Sequence, residues 1–328
     1  MRVCVLAGGG GSERAVSIAS GVAVANALLR RGVAVALCDV GAPPPRGNAF
    51  VRKPYAESMF AANAVCLWHA DVTAIAAAAN ATIPVLHGGI GEDGTAQMLL
   101  TAAGVKFCGS GAAACRLSMD KARTKTVLAA AGIATAPSIV HRRGDVLALA
   151  QCEREVGYPC VVKPNDGGSS VGVAVCGTRR ALSAAVAAAE AFTDTVLVER
   201  YVAGRECSVA VLGETVLPPV AILPPADGFY DYKHKYLAQT QLLCPANFPP
   251  EETARLTDAA RRAFVALGLS DYGRIDFLLT DDGTPVCLEA NALPGMTSHS
   301  LFPLAARAAG ISYDALCMQL VAAARVRQ

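Results

Sequence analysis

Three side chains with hard oxygen ligands follow one another toward the end of the sequence. Asp276 lies in an apolar run at 275–280, and Glu289 and Asn291 follow a second apolar run at 285–288. An antiparallel pair of strands would bring the three side chains together. Magnesium held by a few carboxylates keeps water and substrate phosphates as its other ligands. The pattern predicts a magnesium site for nucleotide chemistry, and a solvated hairpin with clustered charges is the alternative.

A candidate phosphate-binding loop lies between two predicted strands upstream. The segment 167–172 combines three glycines with Ser169 and Ser170, and Lys163 ends the strand before it. Backbone N–H groups and hydroxyls of such a loop can cover phosphates, and the lysine would direct a cation at them. Arg274, beside the predicted metal, is a fixed cation for an oxyanion or a phosphate. Without the lysine, this loop would be an ordinary hairpin turn about as often as a binding element.

A second glycine-rich segment, 8–13, follows the first predicted strand and opens a helix, which is the position of a dinucleotide-binding fingerprint. The pattern GxGxxG fails because Glu13 or Arg14 stands where the third glycine is required, although Asp39 ends the next strand as that motif would need. The pattern GxxxxGK[ST] does not occur in the sequence. A nicotinamide cofactor is therefore a weaker interpretation than a nucleotide held by the segment 167–172.

The order of predicted elements divides the chain into three domains. Residues 1–110 alternate apolar strands with helices, which indicates βαβ units and a parallel sheet. Residues 111–198 and 199–328 each predict an α+β unit, so the fold class is α/β and α+β. The predicted strands of the first two domains lie at 2–7, 34–40, 83–86, 105–107, 160–163 and 171–176. The predicted helices lie at 12–31, 95–103, 120–131, 145–156 and 251–267, followed by a C-terminal helix. The pattern of 40–79 predicts no local structure.

Composition excludes several classes of protein. No apolar run in the 328 residues reaches membrane-spanning length, and the net charge of +2 gives no footprint for nucleic acid or for a membrane surface. The twelve cysteines are scattered without a CxxC pair, and most lie in apolar patterns. We expect them to be small buried hydrophobic residues in a reducing cytosol, without metal-thiolate chemistry.

Taken together, the motifs identify a resemblance that covers nearly the whole chain. The sequence is similar to the D-alanine-D-alanine ligases of the ATP-grasp superfamily, and the matching segments are 11–17, 86–94, 118–121, 162–164, 167–172, 229–236 and the two metal-binding runs. The resemblance implies an ATP-grasp fold whose two α+β domains enclose ATP. It also implies the joining of two D-alanines through a D-alanyl phosphate, for peptidoglycan precursor synthesis, by a cytoplasmic bacterial homodimer.

The resemblance further implies a set of contacts to ATP and to metal. Two Mg²⁺ or Mn²⁺ ions would lie between Asp276, Glu289 and Asn291. The residues implied for the nucleotide are Lys121 and Lys163 at the α- and β-phosphates, Lys235 at the γ-phosphate, Ser169 and Ser170 in the loop over the phosphates, and Glu199 and Glu206 at adenine and ribose. The segment 226–243 around Lys235 is long, aromatic and Gly-bearing, as expected of a lid over the phosphates.

For the amino acid substrates, the resemblance implies one group of contacts at each step. Arg274 and the backbone N–H of Gly295 would bind the oxyanion of the tetrahedral intermediate. Glu13, which also suits the first turn of a helix, would bind the ammonium of the first D-alanine and form a hydrogen-bonded triad with two other residues. The remaining implied residues are Ser169 and Tyr236 in that triad, His87 near the first D-alanine, and Ser300 and Leu301 at the carboxylate of the second. Ser300 also lies where it could cap a helix beginning at residue 301.

Two other functions stay open at this stage. One is a ligase with a different acceptor, which would make the D-alanyl-D-lactate ester or another mixed D-dipeptide; Tyr236, after Lys235, argues against the lactate form. The other is a nucleotide-binding protein that has lost its chemistry, but such a protein would lack one of the ligand residues. None is missing from the sequence.

Overall fold

A computed structural model describes residues 1–10, 13–44, 49–64, 68–168, 171–223 and 241–327. The N-terminal part contains a three-stranded parallel sheet in the order β2-β1-β3. Its strands are β1 (Arg2–Ala7), β2 (Ala34–Asp39) and β3 (Ala81–Pro84), and its helices are α1 (Arg14–Arg30), α2 (Ala70–Ala77) and α3 (Thr95–Ala102). The strands are buried along almost their whole length, as expected for a parallel sheet covered on both faces.

Close packing of α1 on this sheet depends on one glycine. A Cβ atom at Gly21 would lie 2.5 Å from the Cβ of Ala7 and 3.0 Å from Leu37 Cδ1. The helix therefore approaches the sheet at a distance that any larger residue would prevent. This approach brings the first turn of α1, and Glu13 before it, to the C-terminal edge of the sheet.

Two details of the N-terminal prediction were wrong. The expected strand at 105–107 makes only isolated bridges, from Phe107 to Thr82 and to Arg325, and the third strand lies two residues earlier than predicted. Both differences arise where an apolar run continues past the hydrogen-bonded ladder, because burial alone does not mark where pairing stops. The segment 40–79, which predicted nothing, contributes α2 and a short 3-10 turn at Glu57–Met59.

The central part is a four-stranded antiparallel sheet in the order β4-β7-β5-β6. Its strands are β4 (Ser138–Arg142), β5 (Cys160–Pro164), β6 (Ala174–Cys176) and β7 (Thr195–Arg200), and the helices are α4 (Ala112–Met119), α5 (Lys121–Ala130), α6 (Leu149–Glu155) and α7 (Arg179–Ala189). The prediction had missed β4, α4 and α7, made α6 too long and started the strand β6 too early. Cysteines such as Cys160 and Cys176 are buried free thiols, as expected.

The third sheet is antiparallel, in the order β11-β10-β8-β12-β13, with β9 paired to β8. Its strands are β8 (Arg205–Leu212), β9 (Thr215–Val216), β10 (Val220–Leu223), β11 (Gln241–Leu243), β12 (Tyr272–Leu279) and β13 (Pro285–Asn291). Helix α8 (Pro250–Ala266) packs on it, and α9 (Leu301–Ala308) and α10 (Tyr313–Ala323) follow. The last three residues of the predicted lid are thus a strand of this sheet.

The final two helices belong to the core of the N-terminal sheet. Phe302 and Leu316 are fully buried in the same hydrophobic cluster as Leu6 and Ile83. Tyr272, at the start of β12, packs on Phe302 with ring centroids 5.6 Å apart, and its hydroxyl donates to the carbonyl of Pro84 at 3.1 Å. The strand that carries Arg274 and Asp276 is therefore anchored to the N-terminal sheet. Helices long and apolar enough to cross a membrane were not found in the described ranges.

Candidate active site

The predicted metal ligands lie on the paired strands β12 and β13. The antiparallel register places Asp276 opposite Glu289 and Arg274 opposite Asn291. Side chains at opposed positions, and at alternate positions along one strand, lie on the same face of the sheet. All four side chains therefore share one face, as the sequence predicted, and a bulge after Asp276 ends this regular pairing.

Asp276 is the most enclosed of these acids, with 6% of its surface exposed. Its carboxylate accepts hydrogen bonds from Arg274 (Nε 2.9 Å, Nη2 2.8 Å), from Asn291 Nδ2 (3.0 Å) and from Ser208 Oγ (2.6 Å). Ser208 lies opposite Asp276 on β8. Sequence reasoning missed this serine, and the only available signal was a polar residue at an inward position of an apolar strand.

These residues fit a hard divalent cation. The described part of the chain holds no group of three or more His, Cys, Asp or Glu residues arranged for a metal. The predicted donor set is two carboxylates, from Asp276 and Glu289, and the amide oxygen of Asn291. Magnesium is usually held by one or two carboxylates, with water and substrate phosphates as its other ligands. The set therefore suits a magnesium ion whose coordination is completed by a nucleotide.

Two of the predicted phosphate-binding lysines face the same region. Lys121, the first residue of α5, is buried, donates to the carbonyl of Gly167 and lies 3.9 Å from Glu289 Oε2. Burial lowers the pKa of Lys121, although the Glu289 charge opposes that shift. Lys163, at the end of β5, forms an ion pair of 2.7 Å with Glu199 Oε2. A desolvated ammonium facing a cavity is an effective partner for phosphate oxygens.

A third lysine, Lys125, was missed by the sequence analysis. Its Nζ lies 2.8 Å from Glu199 Oε1, so Glu199 is held between two lysines. Burial raises the pKa of Glu199, but the ammonium groups of Lys163 and Lys125 outweigh that effect and the net pKa is lowered. The signal was present in the sequence, because Lys125 is one helical turn from Lys121 and therefore on the same face of α5.

Asn165, just after β5, holds the beginning of α5 in place. Its side chain accepts from the N–H of Ala122 at 2.9 Å and donates to Asp120 Oδ1 at 3.0 Å, while Asp120 caps the helix by accepting from the N–H of Arg123 at 3.1 Å. These bonds connect the lysine-bearing helix to the strand that carries Lys163. The two lysines are thus positioned by one rigid junction.

A cavity of about 510 Å³ separates the central sheet from the third sheet. Its size falls within the range of small-molecule sites. Apolar side chains, among them Val161, Leu223 and Leu278, line part of its wall. The predicted site residues that reach it are Lys121, Lys163, Glu199, Glu206, Asp276 and Glu289. One cavity therefore joins an apolar surface suited to a base with lysines and carboxylates suited to phosphates and their metals.

Glu13 lies where α1 meets two glycine loops. A Cβ atom on Gly88 would be 2.6 Å from Glu13 Oε2, and one on Gly168 would be 3.0 Å from the same oxygen. The absence of side chains at these two positions lets the carboxylate enter between the loops. The implied partners of Glu13, Ser169 and Tyr236, fall outside the described residues, as do Ser170 and Lys235, so their roles stay predictions.

Glu92, to which the sequence analysis gave no role, is close to Glu13. Its carboxylate accepts from the N–H of Gly88 at 2.7 Å. Burial, with the nearby charge of Glu13, raises the pKa of Glu92 to about 7. The signal was its place in the segment 86–94, directly after the short 3-10 turn at Gly89–Gly91.

Ser300 contacts the Gly295 loop, but it does not cap the helix that follows. A Cβ atom on Gly295 would lie 2.8 Å from Ser300 Oγ. Ser300 is at the N-cap position of α9, yet its side chain makes no capping hydrogen bond, so that expectation was wrong. The hydroxyl instead pairs with the N–H (3.1 Å) and Oγ1 (2.8 Å) of Thr297, and Leu301 begins the helix half-buried.

His87 faces the protein interior at the end of the first sheet. Its Nε2 lies 3.2 Å from Ser20 Oγ. Burial lowers the pKa of His87 to about 4, against a hydrogen bond to the main chain of Leu293, so the ring is neutral near pH 7. The contacts of its ring are thus made to α1 and to the loop that follows β13.

Asp39, which the dinucleotide-binding interpretation would have placed at a ribose, is paired with an arginine instead. Asp39 is buried and forms an ion pair with Arg14, whose Nη1 also donates to the carbonyl of Gly9 at 2.9 Å. Asp39 in turn accepts from the N–H of Gly9 at 3.2 Å. The pair fixes the loop before Glu13, and the ribose-binding role of Asp39 loses its basis because its carboxylate is occupied.

Comparison with known proteins gives consistent matches along the chain. The family model described as D-ala D-ala ligase N-terminus matches residues 2–110, and the one described as D-ala D-ala ligase C-terminus matches residues 127–322. The D-alanine–D-alanine ligase of Bordetella petrii is 40% identical over 98% of this chain and 92% of its own length.

Solved structures of related ligases also match nearly the whole length of this chain. The D-alanine–D-alanine ligase from Bacillus anthracis, complexed with ATP, superposes with a TM-score of 0.81 at 28% identity and covers 98% of this chain and 97% of its own. The VanG D-Ala:D-Ser ligase from Enterococcus faecalis gives 0.82 at 27% identity, with 98% of each chain covered. Both superpositions extend over nearly the whole of this chain.

Proposed function

The chain belongs to the D-alanine–D-alanine ligase family, and we propose that it joins two D-alanines to D-alanyl-D-alanine with ATP, for peptidoglycan synthesis. Its ATP-grasp fold provides a nucleotide cavity between two antiparallel sheets. The observation that carries the proposal is that cavity, because Lys121, Lys163 and Glu289 meet there at the edge of an apolar wall.

The first step activates a carboxylate. A carboxylate oxygen of the first D-alanine attacks the γ-phosphorus of ATP, the bond to the β–γ bridging oxygen breaks, and ADP leaves. Phosphoryl transfer of this kind depends mainly on positioning and charge neutralisation. Lys121 and Lys163 supply fixed positive charge. Glu206 and Glu199 line the same cavity and would contact ribose and adenine.

We include two magnesium or manganese ions in this proposal. When bound, the ions neutralise the charge of the phosphates, and Asp276, Glu289 and Asn291 would hold them. Support comes from the common face of these three side chains and from the short hydrogen bonds that orient the Asp276 carboxylate.

The second step forms the peptide bond. The amine of the second D-alanine attacks the carbonyl carbon of the acylphosphate, the C–O bond to phosphate breaks, and inorganic phosphate and a proton are released. The negative charge that develops on the carbonyl oxygen would be stabilised by Arg274 and the N–H of Gly295. Glu13 would bind the first ammonium, and Ser300 with Leu301 the second carboxylate.

The test is product formation by the purified protein. With ATP, Mg²⁺ and D-alanine we expect ADP and D-alanyl-D-alanine in equal amounts, identified by mass spectrometry. Parallel reactions with D-serine, D-lactate or L-alanine as acceptor should give little product. A main product with D-serine or D-lactate would assign the protein to the mixed ligases instead, and ADP release without any ligated product would remove the assignment.

The same proposal includes a cytoplasmic homodimer with domains at 1–110, 111–198 and 199–328. The resemblance to the family supports the dimer. The three sheets support a division into three parts, but β7 extends the central sheet to residue 200 and the helices at 301–323 pack in the N-terminal core. Light scattering during gel filtration measures the mass directly, and a value near 34 kDa rather than twice that would exclude the dimer.

A further inference from the structure

We infer that Ser20 and His87 form a hydrogen-bonded brace that holds the loop 293–296 and thereby orients the N–H of Gly295. Neither residue is proposed to touch a reacting atom, so both are positioning residues. The inference rests on the proposed function, in which Gly295 is an oxyanion donor, but the geometry of the brace is independent of any substrate.

The residue after Gly295 is fixed through both of its main-chain polar groups. The N–H of Met296 donates to Ser20 Oγ at 3.3 Å, and its carbonyl accepts from the hydroxyl of Tyr313. The side chain of Met296 is fully buried in the N-terminal core. The N–H of Met296 shares a rigid peptide plane with the carbonyl of Gly295, so these contacts fix the chain on the C-terminal side of the Gly295 N–H.

His87 closes the other end of the same loop. Its Nε2 lies 3.2 Å from Ser20 Oγ, and the main chain of Leu293 acts on the ring in the direction that favours ring protonation. A carbonyl has that effect when it accepts from a ring N–H. Since Nε2 meets Ser20, the N–H that serves Leu293 is on Nδ1.

The number of donors and acceptors on each group fixes the direction of the hydrogen bonds between Met296, Ser20 and His87. A serine hydroxyl has one hydrogen to donate and can accept as well. Ser20 accepts from the N–H of Met296, so its own hydrogen goes to the unprotonated Nε2 of a neutral His87, and Nδ1–H donates to the carbonyl of Leu293. The chain of bonds starts and ends on the loop 293–296 and encloses Gly295.

A neighbouring serine shows that this arrangement is specific to Ser20. Ser17, one turn earlier on α1, is equally buried, but its hydroxyl accepts from the N–H of Gly8 and donates to the carbonyl of Val85. The hydroxyl of Ser17 therefore makes contacts only within the N-terminal part of the protein. Ser20 instead connects α1 to a loop 276 residues further along the chain.

Loss of the brace should affect peptide bond formation rather than substrate binding. An oxyanion donor acts only when it is oriented before the charge develops, and removal of one donor costs about 10²–10³-fold in kcat. Ser20→Ala keeps the donor but loosens its orientation. We expect kcat to fall about tenfold, with KM for ATP and for the first D-alanine changed less than twofold.

Rapid-quench kinetics distinguish the two half-reactions. If amine attack alone is slowed, Ser20→Ala should form one equivalent of ADP per active site in a fast phase, followed by slow turnover. His87→Asn keeps a polar group at the position of Nδ1 and removes the acceptor at Nε2, so it should behave in the same way if Ser20→Ala does not fold. A higher KM for the first D-alanine with unchanged kcat in both variants would make His87 a substrate contact and overturn the brace.

A measurement without substrate tests the brace separately. Nitrogen NMR of the unliganded protein should show His87 neutral and protonated on Nδ1, and Ser20→Ala should shift the Nε2 signal, whereas Ser17→Ala should not. An Nε2-protonated ring, or a spectrum that Ser20→Ala leaves unchanged, would refute the inference even if ligase activity is found. Absence of D-alanyl-D-alanine from the parent protein would instead refute the proposed function, while the NMR result would still decide the brace.

Discussion

Arg274 and Asp276 form a two-pronged ion pair within a single strand, with guanidinium nitrogens 2.9 and 2.8 Å from the two carboxylate oxygens. Residues two apart on a strand share a face, which makes this geometry available without any turn. The proposed oxyanion donor therefore also neutralises the proposed metal ligand. A metal ion at the proposed site would compete with the guanidinium for the same carboxylate.

Such competition predicts that Arg274→Ala changes the turnover rate and the metal affinity in opposite directions. Arg274→Ala should lower kcat about 10²–10³-fold because a charged donor is lost, while Mn²⁺, a probe for magnesium, should bind more tightly because its competitor is removed. Calorimetry with Mn²⁺ and steady-state kinetics measure the two effects. Arg262→Ala, at an exposed ion pair with Asp258, is the control and should change neither. Weaker Mn²⁺ binding in Arg274→Ala would show that the arginine supports the metal site.

Ser208 should affect metal binding without direct contact to the ion. Its hydroxyl donates to Asp276 at 2.6 Å, and loss of such an orienting bond typically weakens metal affinity about 10–100-fold. Ser208→Ala should therefore need at least about tenfold more Mg²⁺ for half-maximal activity, with kcat largely recovered at saturation. The exposed Ser183→Ala serves for comparison. An unchanged Mg²⁺ requirement would mean that Asp276 needs no support from β8.

Glu199 should contribute an acid-sensitive part of the stability. Its net pKa is lowered from 4.5 by Lys163 and Lys125. Its contribution is therefore present above pH 4.5 and is lost as the pH falls through the lower folded value. Glu199→Gln leaves two buried lysines without a counter-charge, so it should lower the free energy of unfolding by roughly 3 kcal/mol at pH 7.

The difference between Glu199→Gln and the parent should shrink below pH 4.5. Urea unfolding between pH 3.5 and 7 measures it, at pH values chosen to span the cited pKa. A difference that stays constant over this range would place the stabilising charge elsewhere.

Glu92 should show the reverse pH dependence. Its pKa is raised by burial from 4.5 to about 7. Its contribution to the free energy of unfolding is therefore fully present below pH 4.5 and is lost as the pH rises through about 7. Glu92→Gln should be more stable than the parent by about 2 kcal/mol at pH 8 without metal or nucleotide, allowing for partial solvent screening. The gain should vanish near pH 4.5, and the exposed Glu214→Gln should show none. A stability loss at pH 8 would indicate that the charged form of Glu92 is favoured in the fold.

The acceptor should determine how the rate depends on pH. An amine attacks only when unprotonated, so dipeptide formation should increase from about pH 6 to about 8.5. A hydroxy acid has no ammonium to deprotonate, and an ester-forming site would work comparatively well at lower pH. D-alanine and D-lactate in competition, with products separated across this range, provide the test. Ester as the main product near neutrality would favour the D-alanyl-D-lactate assignment.

The metal hairpin was predictable because its signals are local. Asp276, Glu289 and Asn291 close apolar runs separated by a short turn, and strand periodicity then fixes which side chains share a face. Lys163 followed from its place at a strand end beside a glycine-rich loop, whereas Lys121 followed only from the family resemblance. Domain boundaries and the roles of single site residues stay predictions.

Contacts between distant segments could not be predicted. Ser208 lies on a strand whose pairing with β12 has no local signal, and Ser20 meets Met296 across 276 residues. Periodicity reports burial, whereas these contacts depend on tertiary packing. The wrong cap at Ser300 has a different, local origin, since Thr297, three residues earlier, offers its hydroxyl a competing partner.

The position of α9 and α10 has a consequence for biosynthesis. Phe302, Leu316 and Leu320 complete a core whose other members, such as Leu6, are translated first. While the chain emerges from the ribosome, the first sheet therefore lacks its cover until almost all later residues have been made. The nascent N-terminal segment exposes apolar surface for most of translation, so we expect it to depend on chaperones that shield such surfaces. Tyr272, Leu293 and Met296 belong to the same core, so the start of β12 and the loop 293–296 are fully packed only when that cover is in place.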